Sequence, residues 1–202
     1  REHCGIPVIV ANALTPRMAH DAVAGGDADI VALGRPLLAD PDWPHKMAEG
    51  RMEEIRPCIR CNQGCMGGLR DAGLPHILCL ANPQMGRLNQ ERPAPAEERK
   101  NIVVIGGGPA GCEFAYRAAQ RKHHVTLLEK ESRLGGQFRT AAVPPGKEDF
   151  LALSRYFELV LPREGVDIRL NTEASAETVQ AMHADVAVVA TGSVPALPPI
   201  PG

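Results

Sequence analysis

Residues 7–11 (PVIVA) form a continuous apolar run between Gly5 and Asn12, which predicts a short strand covered on both faces. Thr15-Pro16 then supplies a helix N-cap followed by proline at the first helical position. Met18, Ala19, Ala22 and Val23 recur at helical spacing until Gly25-Gly26 stops the helix. A second apolar run, Asp29 to Leu33, ends at Gly34-Arg35, and a helical stretch from Pro36, broken at Asp40-Pro41, carries Trp43, Met47 and Ala48 as its apolar positions. Two β–α units in tandem predict a parallel sheet or barrel. From Arg56 to about Arg87 the periodicity vanishes and Cys, Gly and Pro punctuate the chain; residues 89–100 (NQERPAPAEERK) have the composition of a solvated linker.

Past the linker, Asn101 to Ile105 (NIVVI) reads as a buried strand, followed at once by GGGPAG and a helix to about Lys122. Val125 to Leu128 is the next strand, and Phe150 to Arg163 reads as a helix with Leu151, Ser154, Phe157, Val160 and Leu161 inward. Asp167 to Leu170 and Asp185 to Ala190 complete the strands, and the tail SVPALPPIPG is extended and Pro-rich. Apart from the two β–α units there is no internal repeat. The second half therefore predicts a doubly wound α/β domain.

Composition narrows the function. The 202 residues are 44% hydrophobic and 23% charged, the balance of a globular chain rather than a disordered one. A net charge of −2 and a stock of one Trp, two Tyr and four Phe offer neither the basic footprint nor the stacking surface of a nucleic-acid binder. Anionic-membrane attraction is equally unsupported, and no apolar run approaches the roughly 18 residues of a membrane span. With no signal-peptide pattern, the expected compartment is the cytoplasm. Gly (20) and Pro (18) are abundant, as expected of tight turns and ligand-approach loops.

Cys58, Cys61, Cys65 and Cys79 hold four of the six cysteines in one short stretch. In an intracellular chain such a group is metal-binding before it is disulfide-bonded. Four thiolates suit a [4Fe–4S] cluster or a structural Zn²⁺. Zinc sites favour two short paired chelating units; three bunched cysteines with a distant fourth favour the iron–sulfur cube. Cys112 reads as a small buried hydrophobe, Cys4 has no visible partner, and the seven histidines show no ligand spacing.

Gly106-x-Gly108-x-x-Gly111, with Pro109 and Ala110 inside it, follows a strand and opens a helix, which is the context a dinucleotide fingerprint requires. Its glycines allow a tight turn and let backbone amides approach a pyrophosphate at the positive helix end. Glu129, with Lys130 beside it, closes the second strand 18 residues after Gly111; an acid there accepts hydrogen bonds from an adenosine ribose and repels a 2′-phosphate. The fingerprint alone does not separate FAD from NAD. Leu134 to Phe138, containing Gly136 and Gln137, and Ala190-Thr191-Gly192 resemble the GGQ and ATG segments that flank FAD in two-dinucleotide-domain flavoprotein reductases.

Taken in order, a strand ending in Gly34-Arg35, four cysteines and a flavin-type fingerprint resemble the bacterial 2,4-dienoyl-CoA reductase and trimethylamine dehydrogenase family. GRPLLADPDW is similar to that family's barrel end, CIRCNQGC with CLANP to its cluster segment, and GGQF with PGKEDF and RYF to the dienoyl-CoA reductase branch. The resemblance implies the last two β–α units of a flavin-binding (β/α)8 TIM barrel over residues 1–57, a [4Fe–4S] segment over 58–88, the linker, and an incomplete Rossmann-like FAD-binding domain over 101–202. A full barrel takes ~250 residues, so the expected chain is the middle of a longer enzyme, inactive alone, with residues 1–57 poorly ordered or covered by a partner.

The same resemblance implies FMN, FAD and NAD(P)H as well as the cluster, and no catalytic side chain within this segment. Arg35 would pair with the FMN phosphate and the Gly34 amide would support it. The loop after the preceding strand reads Ala11-Asn12-Ala13, placing Asn12 where the family offers a basic residue. Electrons would run from NAD(P)H to FAD, to the cluster, to FMN and on to an enoyl or dienoyl thioester. The alternatives are an amine dehydrogenase or demethylase of the same family, a free-standing FAD/iron–sulfur module docking on a separate barrel subunit, and a zinc-stapled nucleotide binder.

Overall fold

The computed structural model describes residues 3–70, 77–86, 94–194, 196, 199 and 200. Parts of the predicted cluster segment (71–76, 87–88), of the linker (89–93) and of the Pro-rich tail (195, 197, 198, 201, 202) lie outside the described residues. Two compact units are formed, one from residues 1–92 and 142–160, the other from 93–141 and 161–202.

In the first unit, β1 (Ile9–Ala11) and β2 (Ile30–Ala32) pair in parallel, Ile9 opposite Ile30. Between them runs α1 (Pro16–Ala24), whose N-cap Thr15 accepts the Met18 N–H at 3.2 Å, as the Thr-Pro pair predicts. After β2 come α2 (Arg35–Ala39), α3 (Trp43–Ala48) and a 3₁₀ turn at Met52–Glu54. Ala19, Trp43 and Ile55 form the core, with Leu14, Val31, Leu33, Leu37 and Met47 packed against it. The strands are not covered on both faces as the apolar runs predict: Ile9 is 60% and Ile30 52% exposed, and Met18 and Val23 of α1 are also exposed. In a two-stranded sheet, helices cover the side that carries Val31, and nothing described covers the other.

A π-helical turn, Gln63–Gly67, leads into α4 (Gly68–Arg70) in the cysteine segment. No periodicity announced it; Asn62, at φ 58°, starts the turn from the left-handed region.

The second unit is a four-stranded parallel sheet of β3 (Asn101–Ile105), β4 (His124–Leu128), β5 (Asp167–Arg169) and β6 (Val186–Val189) in the order β5-β4-β3-β6. Central β3 and β4 are buried on both faces: Ile102, Val103, Val104, Val125, Leu127 and Leu128 are all buried. The crossover helix α5 (Pro109–Gln120) packs Ala115, Ala118 and Ala119 inward, small residues that let helix and sheet approach closely. Strand order reverses at β3, since β4 lies on one side and β6 on the other, so the crevice beyond the carboxyl ends of β3 and β6 is the topological switch point where such sheets take ligands.

Short α6 (Gln137–Ala141) and α8 (Ala176–Ala181), the latter capped by Ser175, carried too few residues to show a period. Helix α7 (Phe150–Arg163) forms as predicted, burying Leu153, Ser154, Tyr156, Phe157, Val160 and Leu161. Its residues up to Val160 belong to the first unit.

Candidate functional site

At the switch point the fingerprint closes on itself. A Cβ on Gly106 would strike the Ala190 carbonyl, and one on Gly111 would strike the Gly106 carbonyl, so both positions need glycine for the turn itself. Gly107, which the spacing left as a free position, is also closely approached, but by side chains: its Cβ would lie 2.6 Å from Leu134 Cδ2 and 3.0 Å from Glu129 Oε2. The second glycine in GGGPAG was the available signal. Gly108 differs. Its φ is −71°, which any residue adopts, and a Cβ there would meet nothing within 4 Å.

Gly108 is the N-cap of α5, no side chain caps that helix, and Pro109 has no N–H to satisfy. An open, uncapped helix end beside a glycine that the protein itself does not require fits an anionic group brought up to the backbone. Glu129, 6% exposed, accepts the Gly107 N–H at 2.6 Å through Oε2 and the Glu131 N–H at 2.8 Å through Oε1. Two of the ~4 lone-pair sites of the carboxylate thus tie down the loop.

The GGQ and ATG segments arrive at the same place. The Gly135 N–H donates to the Gly107 carbonyl at 2.8 Å, a Cβ on Gly136 would lie 3.1 Å from Gly108 Cα, and Gln137 Nε2 donates to the Ser193 carbonyl beside Thr191 and Gly192. Ala110 and Lys130 are exposed at this site, and Cys112 is buried with its thiol on the Gly107 carbonyl.

In the first unit, Asn12 and Ala13 follow β1 with φ of 84° and 50°, a left-handed pair rare outside glycine. Gly34 and Arg35 follow β2 at the same, C-terminal end of the parallel pair, the end at which barrel enzymes place their sites. Arg35 borders a cavity of about 270 Å³ that also takes in Arg56, Arg60, Trp43 and Asp149. On its other side Arg35 donates through Nη1 to Asn62 Oδ1 at 2.6 Å.

All four predicted cysteines line a second, smaller cavity whose remaining walls include Leu38, Ile59, Leu78, Leu80 and Arg35. All six cysteines are free thiols. Among the described residues no three His, Cys, Asp or Glu side chains converge on a single-ion position. The thiols surround a shared space instead, and a cube takes each thiolate at a separate iron. Burial pushes the Cys58 and Cys79 thiols up; backbone hydrogen bonds from Arg60 to Cys58 and from Ala81 and Asn82 to Cys79 pull the other way, as does the Arg35 charge on Cys58. An apolar pocket of thiols with amide donors aimed at the sulfurs fits a thiolate-bound iron–sulfur cluster.

The scaffold of this pocket was not read from the sequence. Buried Asp40 accepts Lys46 Nζ at 2.6 Å and the Arg56 N–H at 2.7 Å, fixing α2 to the start of the cysteine segment. Arg56, also buried, donates Nη1 to the Ala81 carbonyl at 2.7 Å and stacks its guanidinium 4.9 Å from the Tyr156 ring centroid. Asn82 Nδ2 donates to the Leu38 carbonyl at 3.0 Å, and the Leu78 N–H to the Gly64 carbonyl at 3.0 Å. Arg56 and Asn82 thus hold the Cys58 and Cys79 segments side by side, while Arg60, between two cysteines at φ 50°, pairs with Asp149. The signals were present only as unexplained polar residues: Asp40 inside ADPDW, Asn82 inside CLANP, and Lys46 and Arg56 between them.

Residues 1–54 match the NADH:flavin oxidoreductase / NADH oxidase family, and residues 100–202 match the pyridine nucleotide-disulphide oxidoreductase family. An NADH oxidase of Thermoanaerobacter brockii is 44% identical over 201 residues, covering 98% of this chain and 30% of that protein. A cinnamate reductase of Clostridium sporogenes is 41% identical over 94% of this chain and 28% of its own length. The solved complex of a 2-naphthoyl-CoA reductase with 2-naphthoyl-CoA superposes with a TM-score of 0.92 at 36% identity, over 98% of this chain and 30% of that one. The chain therefore spans about a third or less of the proteins it matches. Among the described residues no helix is long and apolar enough to cross a membrane.

Proposed function

Because the chain belongs to the flavoprotein oxidoreductase family that joins an NADH:flavin oxidoreductase segment to a pyridine nucleotide-disulphide oxidoreductase domain, we propose that it is the electron-transferring middle of such an enzyme, linking NAD(P)H-reduced FAD through a [4Fe–4S] cluster to FMN and an enoyl or dienoyl substrate. When bound, the flavins supply hydride chemistry and the cluster supplies one-electron steps. The shared cysteine cavity carries this reading: thiols from separate loops line one apolar pocket bordered by Arg35, the residue expected to hold the FMN phosphate.

The chain's own residues bind, orient and exclude water. Cys58, Cys61, Cys65 and Cys79 would hold the cluster, and Leu38, Ile59, Leu78 and Leu80 keep their surroundings apolar. Arg35 offers a guanidinium toward phosphate, with the Gly34 amide beside it and Asn12 in the neighbouring loop. Gly108, Pro109 and Gly111 present the uncapped end of α5 to a pyrophosphate, and Glu129 faces the ribose. Gly136, Gln137, Thr191 and Gly192 close the crevice. The similarity to reductases of conjugated acids and aryl thioesters supports a substrate with an activated carbon–carbon double bond.

Cys61→Ser in the native protein tests the reading. NAD(P)H should still bleach FAD at nearly the wild-type rate, while reduction of an enoyl thioester is lost. Surviving substrate turnover would remove the wire role from the cysteines. A native protein containing zinc but no acid-labile sulfide would replace the cluster with a structural ion.

A further inference from the structure

Arg35 stands at the boundary of two cavities, the larger one reaching Trp43 and Asp149 and the smaller one holding the four thiols. Its hydrogen bond to Asn62 points it into the cysteine segment, because Asn62 lies between Cys61 and Cys65. The contact is charge-assisted and short, at 2.6 Å, and it is made to a residue whose own backbone is held left-handed. We propose that Arg35 serves both cavities at once: besides its role toward a flavin phosphate, it supplies the positive charge that sets the reduction potential of the cysteine-bound cluster. This rests on the reading of the cysteines as cluster ligands.

The physical reason is the direction of charge change. One-electron reduction adds a negative charge to an already anionic thiolate-bound group, and a fixed cation alongside favours the reduced form and raises the potential. Arg35 is half-buried, so solvent screens it less than a surface lysine, and a guanidinium keeps its charge at every working pH. Arg60 and Arg56 do not duplicate it: Arg60 is neutralised by Asp149, and the Arg56 guanidinium is turned to the Ala81 carbonyl and the Tyr156 ring.

The test uses the native protein, purified anaerobically and depleted of FMN so that no flavin phosphate contributes, with the reduced cluster followed by EPR during a redox titration. Arg35→Gln should lower the midpoint by about 59 mV, a tenfold shift in a one-electron equilibrium. Arg35→Lys keeps the charge and should stay close to wild type. Asn62→Gly keeps a left-handed backbone and removes the acceptor; it should lower the potential in the same direction, and it decides the question if Arg35→Gln does not fold. Equal potentials in wild type, Arg35→Gln and Asn62→Gly overturn the proposal, and so does a fall in Arg35→Lys as large as in Arg35→Gln. Absence of iron and acid-labile sulfide from the wild type overturns the cluster reading instead.

Discussion

Two neighbouring glycines of the fingerprint should respond in opposite ways to the same methyl group. At Gly111 the added Cβ lands on the Gly106 carbonyl and lies 3.3 Å from Ala190 Cβ. The obstacle is backbone, so no rotamer relieves it, and the first turn of α5 must lift from β3. Overpacking costs about 1–3 kcal/mol and more where nothing yields. At about 3 kcal/mol the cofactor-free protein should melt roughly 6–12 °C lower.

At Gly108 the methyl meets nothing, and the φ of −71° suits alanine. Less chain entropy in the unfolded state gains about 0.4–1 kcal/mol, and a poorer N-cap offsets a similar amount, so melting should shift by less than about 4 °C. The same methyl occupies the space where phosphate approaches the helix end. Losing one charge-assisted hydrogen bond there costs about 1.5–3 kcal/mol, on the order of ten- to a hundredfold in Kd for FAD. Calorimetric melting of the cofactor-free proteins and fluorescence titration with FAD measure the two effects separately. Gly108→Ala protein that melts normally and binds FAD with wild-type affinity would refute the argument, since nothing within the protein then accounts for glycine at that position.

Arg56→Met should strip the Ala81 carbonyl of its donor, cost about 1–3 kcal/mol, and lower iron per polypeptide while FAD content stays unchanged. Gly64→Ala should do the same by another route, because its Cβ would lie 2.6 Å from the Leu78 carbonyl oxygen and part the segments carrying Cys65 and Cys79; iron analysis and the EPR amplitude of the reduced cluster check both. Glu129→Gln leaves one of the Gly107 and Glu131 amides facing an NH₂ group, so the cofactor-free protein should lose about 1–3 kcal/mol of stability, measured by denaturant titration.

The strands of the second unit were legible because β3 and β4 are buried on both faces and leave near-continuous apolar runs, Ile102 to Ile105 and Val125 to Leu128 interrupted only by Thr126. Gly106 and Gly111 were legible because a tight turn and close backbone approach accept few other residues. The four cysteines were legible by number and spacing. Their scaffold was not: Asp40, Arg56 and Asn82 act through contacts to carbonyls and amides up to 44 residues away, and long-range pairing leaves no period. The burial of β1 and β2 was misjudged for a related reason. Apolar runs state what a strand needs covered, and in the described chain Ile9 and Ile30 remain exposed. The two short helices and the π-helical turn lacked the length for periodicity to speak.

The pairing of Arg56 with Tyr156 also sets a schedule. The cysteines leave the ribosome before the aromatic residues that cradle Arg56 and the Asp149 that anchors Arg60, which emerge only after β3, α5 and β4 have been synthesised. A hundred residues separate the two halves of the Arg56 stack, which at ~5–20 residues per second is roughly 5–20 seconds of translation. Throughout that interval the pocket lacks the Tyr156 ring and the Asp149 carboxylate that hold Arg56 and Arg60 in the folded chain. A cluster offered to these cysteines before α7 arrives would meet a half-built mould, so a complete pocket requires that translation has passed α7.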